Sequence, residues 1–321
     1  MKIFYSGNNM LVTFDYFLKN LDLSNKNCLD VITQGQWLNV HPAALVFAAA
    51  LAQKVGKENV IIDNTAGKSG LYIDRMGLYD WSKTESPYHY SRHEEAGRFV
   101  PVKQILTSND QSKFITDLIP LLHLPPEKSQ VIYYIMGELI RNVLEHSMSK
   151  DGAFVAAQYR PKSNVLSFGV CDTGVGLKKS LSYYHFPKDD VEALKLALMP
   201  GISGTSMSQS GTGDNAGAGL YIVKNLSKMT RNYFVIYSGT AMYKLLKYDK
   251  RIERPKIHSD PLDDRHSLVD KLPDFHGTLV GVDIALDDTS DFNALMEDIK
   301  VSYSKALRER KERRYKKVKF I

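Results

Sequence analysis

The sequence predicts an α+β protein: a sandwich of an antiparallel-type sheet with helices on one face over about residues 101–290. A small α/β domain over 1–100 precedes it, and a basic helical tail over 291–321 follows. Three observations carry this. The first hundred residues alternate strand-like and helix-like pieces. From about Asp110 the order changes to helix, strand, strand, helix, strands. Hydrophobic residues are 43% and charged residues 24% of the 321, so there is apolar material for real cores.

In chain order, Lys2–Tyr5 and Cys28–Thr33 read as short strands. Pro42–Val55 is rich in Ala and Leu and reads as a helix opened by a proline in its first turn. Asn59–Asp63, a run of Val and Ile, suits a buried strand. Arg75–Tyr90 is aromatic and polar without period, and a soft domain boundary falls between Trp81 and Pro101. Gln111–Leu122 and Glu127–His146 read as helices parted by Leu124-Pro125-Pro126. Ala153–Tyr159 and Val165–Cys171 are strands around a turn at Pro161–Asn164. A Gly/Ser stretch leads into a helix at Gly219–Met229. Strands follow near Tyr233–Tyr237, Tyr243–Lys247 and Thr278–Ile284, and a helix starts at about Asp291.

Charge and cysteine usage narrow the function classes. The net charge is +6, but Lys305–Lys319 alone holds nine Lys and Arg against two Glu, so the body is near neutral. Cys28 and Cys171 form neither a disulfide framework nor a metal spacing. The start has no long apolar stretch behind its lysine, and the most apolar run, Ala43–Ala52, is about half of what a bilayer needs. A cytoplasmic protein without a membrane partner is the expectation. Gly67-Lys68-Ser69 looks like the end of a phosphate-binding P-loop, but Ile62 stands where that motif needs glycine.

Three segments carry chemistry. In GELIRNVLEHS, Glu138, Asn142 and His146 recur every four residues and share one side of a helix otherwise filled by Ile, Leu, Met and Val. A polar stripe on a buried helix is costly unless it faces a ligand or partner groups. In VLSFGVCDTGVGL, an apolar strand ends at Asp172, and Gly174 and Gly176 let the backbone approach a ligand. A carboxylate placed there can accept a hydrogen bond from an exocyclic amine. In SGTGDNAGAGLYIVKNL, glycines at 211, 213, 217 and 219 run into an amphipathic helix. Free backbone N–H groups and the helix dipole at such a start favour phosphate oxygens.

Together these segments resemble the GHKL superfamily of gyrase-type topoisomerases, ninety-kilodalton heat-shock chaperones, histidine kinases and mismatch-repair ATPases. GELIRNVLEH resembles its N box, DTGVG its G1 box and GDNAGAGL its G2 box, in the family's order, over about Asp110–Asp287. The Glu-x-x-x-Asn-x-x-x-His form is most similar to anti-sigma-factor serine kinases. The resemblance implies a GHKL-type α/β sandwich that binds ATP with Mg²⁺. It makes Glu138 the general base and Asn142 the Mg²⁺ ligand. It makes Asp172 the reader of the adenine amine, with Gly174 and Gly176 leaving room for the base. Gly217 and Gly219 bring backbone donors to the phosphates, Leu220 belongs with them to the nucleotide-binding set, Thr278 supports Asp172 through a hydroxyl or a water, and His146 matches the end of the N box. Leu177–Ala216 would form the ATP lid; Pro200–Gly219 holds six Gly and four Ser.

The run NVIIDNTAGKSGLYIDRMGL and the βα alternation resemble a STAS-like domain, the usual protein partner of anti-sigma kinases, which makes Thr65 and Ser69 candidate phosphoacceptors. The expected function is therefore an ATP-hydrolysing conformational switch. A serine/threonine protein kinase and a nucleotide-sensing module with little turnover are the alternatives. A protein partner or homodimer is implied, and the basic tail fits nucleic acid or an acidic partner.

Overall fold

The computed structural model describes residues 1–34, 38–63, 68–88, 99–121, 126–204, 217–249, 251, 254–287 and 292–317. Its strands are β1 (Lys2–Tyr5), β2 (Asn8–Asn9), β3 (Leu29–Thr33), β4 (Asn39–Val40), β5 (Val60–Ile62), β6 (Phe99–Ile105), β7 (Ala153–Arg160), β8 (Val165–Asp172), β9 (Phe234–Gly239), β10 (Ala241–Leu245), β11 (His266–Val269) and β12 (Phe275–Ala285). Its helices are α1 (Phe14–Lys19), α2 (Pro42–Val55), α3 (Lys68–Arg75), α4 (Ser108–Leu121), α5 (Pro126–His146), α6 (Gly176–Ser182), α7 (Asp190–Ala197), α8 (Gly219–Met229) and α9 (Phe292–Lys317). The mixed α+β class expected from the sequence is what the chain adopts. No helix among the described residues is long and apolar enough to cross a membrane.

The main sheet has the order β11-β10-β9-β12-β8-β7-β6, with every neighbouring pair antiparallel. Side chains alternate across it, giving two apolar faces. Leu166, Phe168, Val170, Val280, Val282 and Ile284 share a core with α5, α8 and α9. Phe154, Ala156, Cys171, Val235, Tyr237 and Leu279 share a second core with α2 and the amino-terminal segments.

This second core differs from the expectation of helices on one face only. Both faces of the sheet are apolar, so both are covered. The cover on the second face is α2, which begins at His41, whose Nδ1 accepts from the Ala43 N–H at 3.0 Å, and which has proline at its start. Every residue from Pro42 to Ala52 is buried. The strands β1, β3 and β5 form a separate parallel sheet. Buried packing thus crosses the stretch between Trp81 and Pro101, and β6, just beyond Arg98, is an edge strand of the main sheet.

The close seat of α2 depends on Gly169 in β8. A Cβ there would stand 2.4 Å from the Ala43 nitrogen and 2.6 Å from the Pro42 carbonyl carbon, both backbone atoms that cannot swing aside. Gly169→Ala is expected to destabilise the chain by about 1–3 kcal/mol, the usual cost of overpacking. A urea titration checks this: the midpoint falls while the slope stays at the parent value. An unchanged midpoint would mean that α2 does not pack as described.

On the first face, α8 is anchored from behind. The fully buried Lys224 and Lys228 both bind Asp264, and Tyr243 donates to the Pro261 carbonyl at 2.9 Å. This clamp holds α8 against the sheet and so sets where its first residue, Gly219, lies. The region expected to be lid contains two helices, α6 and α7. Capping explains α7: the Asp189 carboxylate accepts from the Glu192 N–H at 2.7 Å.

Candidate functional site

The three motif segments meet around one cavity, of about 820 Å³ empty volume, between α5, the ends of β8 and β12, and the start of α8. Asn142, His146, Asp172, Gly176, Gly217, Gly219, Leu220 and Thr278 line it, as do Leu139, Val143, Val170 and Val280. Among the expected site residues, Glu138 and Gly174 stand outside this lining.

Asp172 is the last residue of β8 and faces Thr278 across the β8–β12 pairing. Its Oδ1 accepts the Gly174 N–H at 2.8 Å, and the Thr278 backbone N–H also donates to the carboxyl. Thr278 therefore supports Asp172 through its main chain, where the resemblance implied a hydroxyl or a water. Burial pushes the Asp172 carboxyl up to about 7, against the lowering pull of those two N–H groups. The loop after Asp172 is tied to the end of α5, because Val175 N–H donates to the Ser147 carbonyl at 2.8 Å. Only a glycine fits at 174, where a Cβ would lie 2.0 Å from that carbonyl oxygen.

Gly219, the first residue of α8, lies against the α5 stripe. A Cβ on it would meet Glu138 Oε2 at 2.7 Å and Asn142 Nδ2 at 3.1 Å. The Asn142 Nδ2 and His146 Nδ1 atoms are buried without a hydrogen-bond partner among the described residues. Burial also holds the His146 imidazole below its ordinary value, and the Glu145 charge pulls the other way. The ring is neutral at pH 7 and can serve as a hydrogen-bonding group rather than a fixed cation.

Glu138 is buried, yet its Oε1 accepts from the Arg141 guanidinium one turn on. It borders a second, open groove lined also by Gln111, Tyr133, Tyr134 and Phe292. It therefore lies between the cavity side, through Gly219, and the outside of α5. Two contributors escaped sequence reading. Ser238 in β9 accepts the Leu177 N–H at 3.0 Å and donates to the Gly277 carbonyl at 2.6 Å, pinning the glycine turn to β12. Leu181 and Ala197 bring α6 and α7 to the wall of the cavity. Neither carries a local motif; a serine in a strand gives no signal of what it will hold.

No protein-family model and no curated protein sequence matches this chain.

Several expected features lie outside the described residues: Thr65, the side chain of Ser69, Gly211, Gly213 and the rest of 205–216. The tail is helical to Lys317, with an exposed pair between Arg308 and Glu312.

The donor set can be tested against a magnesium nucleotide. Among the described residues no group of three or more His, Cys, Asp or Glu is placed to hold a metal. A hard cation bound largely by phosphates and waters needs only one or two protein oxygens; the Asn142 Oδ1, beside Gly219 on the cavity wall, is one such oxygen, and the unpartnered Nδ2 can donate to a phosphate oxygen. The apolar walls, the buried acceptor Asp172 and the close-approach glycines fit a flat base with a phosphate tail.

Proposed function

We propose that the chain binds ATP with Mg²⁺ in a GHKL-type domain and hydrolyses it as a conformational switch. The observation that carries this is the convergence of Asn142, Asp172 and Gly219, far apart in sequence, on one cavity. Asp172 accepts the adenine 6-amino group. The apolar side chains of Val143, Val170 and Val280 exclude water from the base. Backbone N–H groups at Gly217–Leu220, where α8 begins, receive phosphate oxygens. Bound Mg²⁺ supplies charge neutralisation at the phosphates, with Asn142 as its protein ligand. Glu138 orients the attacking hydroxyl or water and takes its proton.

Protein phosphorylation is the second reading, and the open groove beside Glu138 favours it. A groove lined by Gln111, Tyr133 and Tyr134 offers room for an acceptor side chain that water would not need.

Equilibrium dialysis with Mg²⁺ tests the binding. ATP should bind saturably and GTP far more weakly, because guanine presents a carbonyl where Asp172 requires a donor. Absence of saturable ATP binding would discard the proposal. Mass spectrometry of the products then separates the two reactions: free phosphate with ADP marks hydrolysis, and phosphate on protein marks the kinase.

A further inference from the structure

A larger cavity, of about 1230 Å³ empty volume, opens on the other face of the sheet. It lies where β7 ends and β8 begins, roofed by the segments around β2 and β4 and by Tyr72 of α3. The pairing register places Gln158, Ser167 and Asp283 on this face, opposite to the Asp172 and Thr278 face. The ATP reading uses none of these groups.

Its polar groups are unevenly satisfied. Asp283 is buried, and its Oδ1 is the shared acceptor. Arg160 Nη2 donates to it at 3.0 Å, the Ser167 hydroxyl donates to it, and His41 Nε2 stands 3.4 Å away. Because His41 Nδ1 accepts from the Ala43 N–H, the ring proton of the neutral histidine is on Nε2, which lies 3.4 Å from Asp283 Oδ1 without making a hydrogen bond among the described residues. Oδ1 of the one carboxylate lining the cavity is thus engaged from within the protein, and the Arg160 guanidinium balances its charge.

The donors are not. Arg160 Nη2 is used by Asp283 and by Ser167 Oγ at 2.9 Å, but its Nε is buried with no hydrogen-bond partner among the described residues. Tyr72 donates to Gln158 Oε1 at 3.0 Å, so the Gln158 amide offers its NH₂ as the remaining group. Lys247 is exposed on the rim. A buried guanidinium N–H left without an acceptor is costly and calls for one.

We propose that this cavity is a second ligand site, for a small molecule bearing a carboxylate or phosphate group, received by Arg160 with Gln158 and Lys247. A neutralised aspartate, an orphaned guanidinium donor and a rim lysine make a donor-rich pocket in which an anion completes the hydrogen bonding. The proposal stands independently of what the first cavity binds.

Calorimetric titration of the full chain with citrate and, separately, inorganic phosphate tests it, with glycerol as the neutral control. One of the two anions should bind saturably and glycerol should not. Arg160→Lys keeps the charge beside Asp283 but removes the Nε donor, and Lys247→Glu reverses the rim charge. Each should weaken anion binding at least about tenfold, the scale of one charge-assisted hydrogen bond, while leaving ATP affinity unchanged. If Arg160→Lys fails to fold, the exposed Lys247→Glu decides alone. No saturable binding of either anion by the parent overturns the proposal. So does parent-like anion affinity in the folded variants.

Discussion

Glu138→Ala should lower ATP turnover by about 10²–10⁴-fold, the range for removal of a general base, while ATP still binds. Glu138 is buried at the wall between Gly219 and the outer groove, outside the lining of the cavity that holds Asp172, so the substitution leaves that lining in place. The Arg141 guanidinium, one turn along α5, pairs with the Glu138 carboxylate. Glu138→Gln keeps shape and hydrogen bonding and should lose nearly as much turnover, which separates base chemistry from packing. Phosphate release measured at saturating ATP reads the effect. Turnover at the parent level in both variants would remove Glu138 from the reaction.

Asp172→Asn should weaken ATP by about 10- to 150-fold, equivalent to about 1.5–3 kcal/mol for a hydrogen bond to a charged group. The same substitution should change how stability depends on pH. Burial raises the Asp172 carboxyl from 3.8 to about 7 in the fold, whereas an unfolded chain keeps it near 3.9. Between those values the folded state holds a proton that the unfolded state has lost. Stability therefore falls as pH rises from about 4 to about 7 and is level above, by on the order of 4 kcal/mol for a shift of this size. Asparagine cannot titrate, so the variant loses that slope. ATP binding acts in the opposite direction: an amine donating to the carboxylate favours its charged form, so binding near pH 7 releases a proton and tightens as pH rises. Urea titrations across pH 4–8, with calorimetry in two buffers of different ionisation enthalpy, check both. An identical stability slope in parent and variant would show that Asp172 is not the buried group described.

Much of the fold was legible where the signal is local. The α8 range Gly219–Met229 is the one read from glycines followed by an amphipathic run, and α2 spans the Pro42–Val55 read from its proline and Ala/Leu content. The strands that end at Asp172 and pass Thr278 were visible as apolar runs. What faces α2 was not. A helix apolar on all sides carries no stripe to say which surface it joins. The short helices α6 and α7 were read as lid, because a Gly/Ser-rich stretch close behind them dominated the local composition. The edge strand β6 was missed, because its neighbour in the sheet lies beyond two intervening helices.

The site divides in the same way. Residue types and spacing were enough to single out Glu138, Asn142, His146, Asp172, Gly217 and Gly219, because each motif is contiguous, whereas Thr278 and the role expected of each residue came from the family resemblance. Tertiary structure alone decided that Gly219 sits against Glu138 and Asn142, that Glu138 answers to Arg141 and an outer groove, and that Ser238 pins the glycine turn. It alone placed Arg160, His41 and Asp283, more than a hundred residues apart at the extremes, around one buried charge. Periodicity records which face of an element is apolar, whereas the partner of that face is chosen by packing across the whole chain.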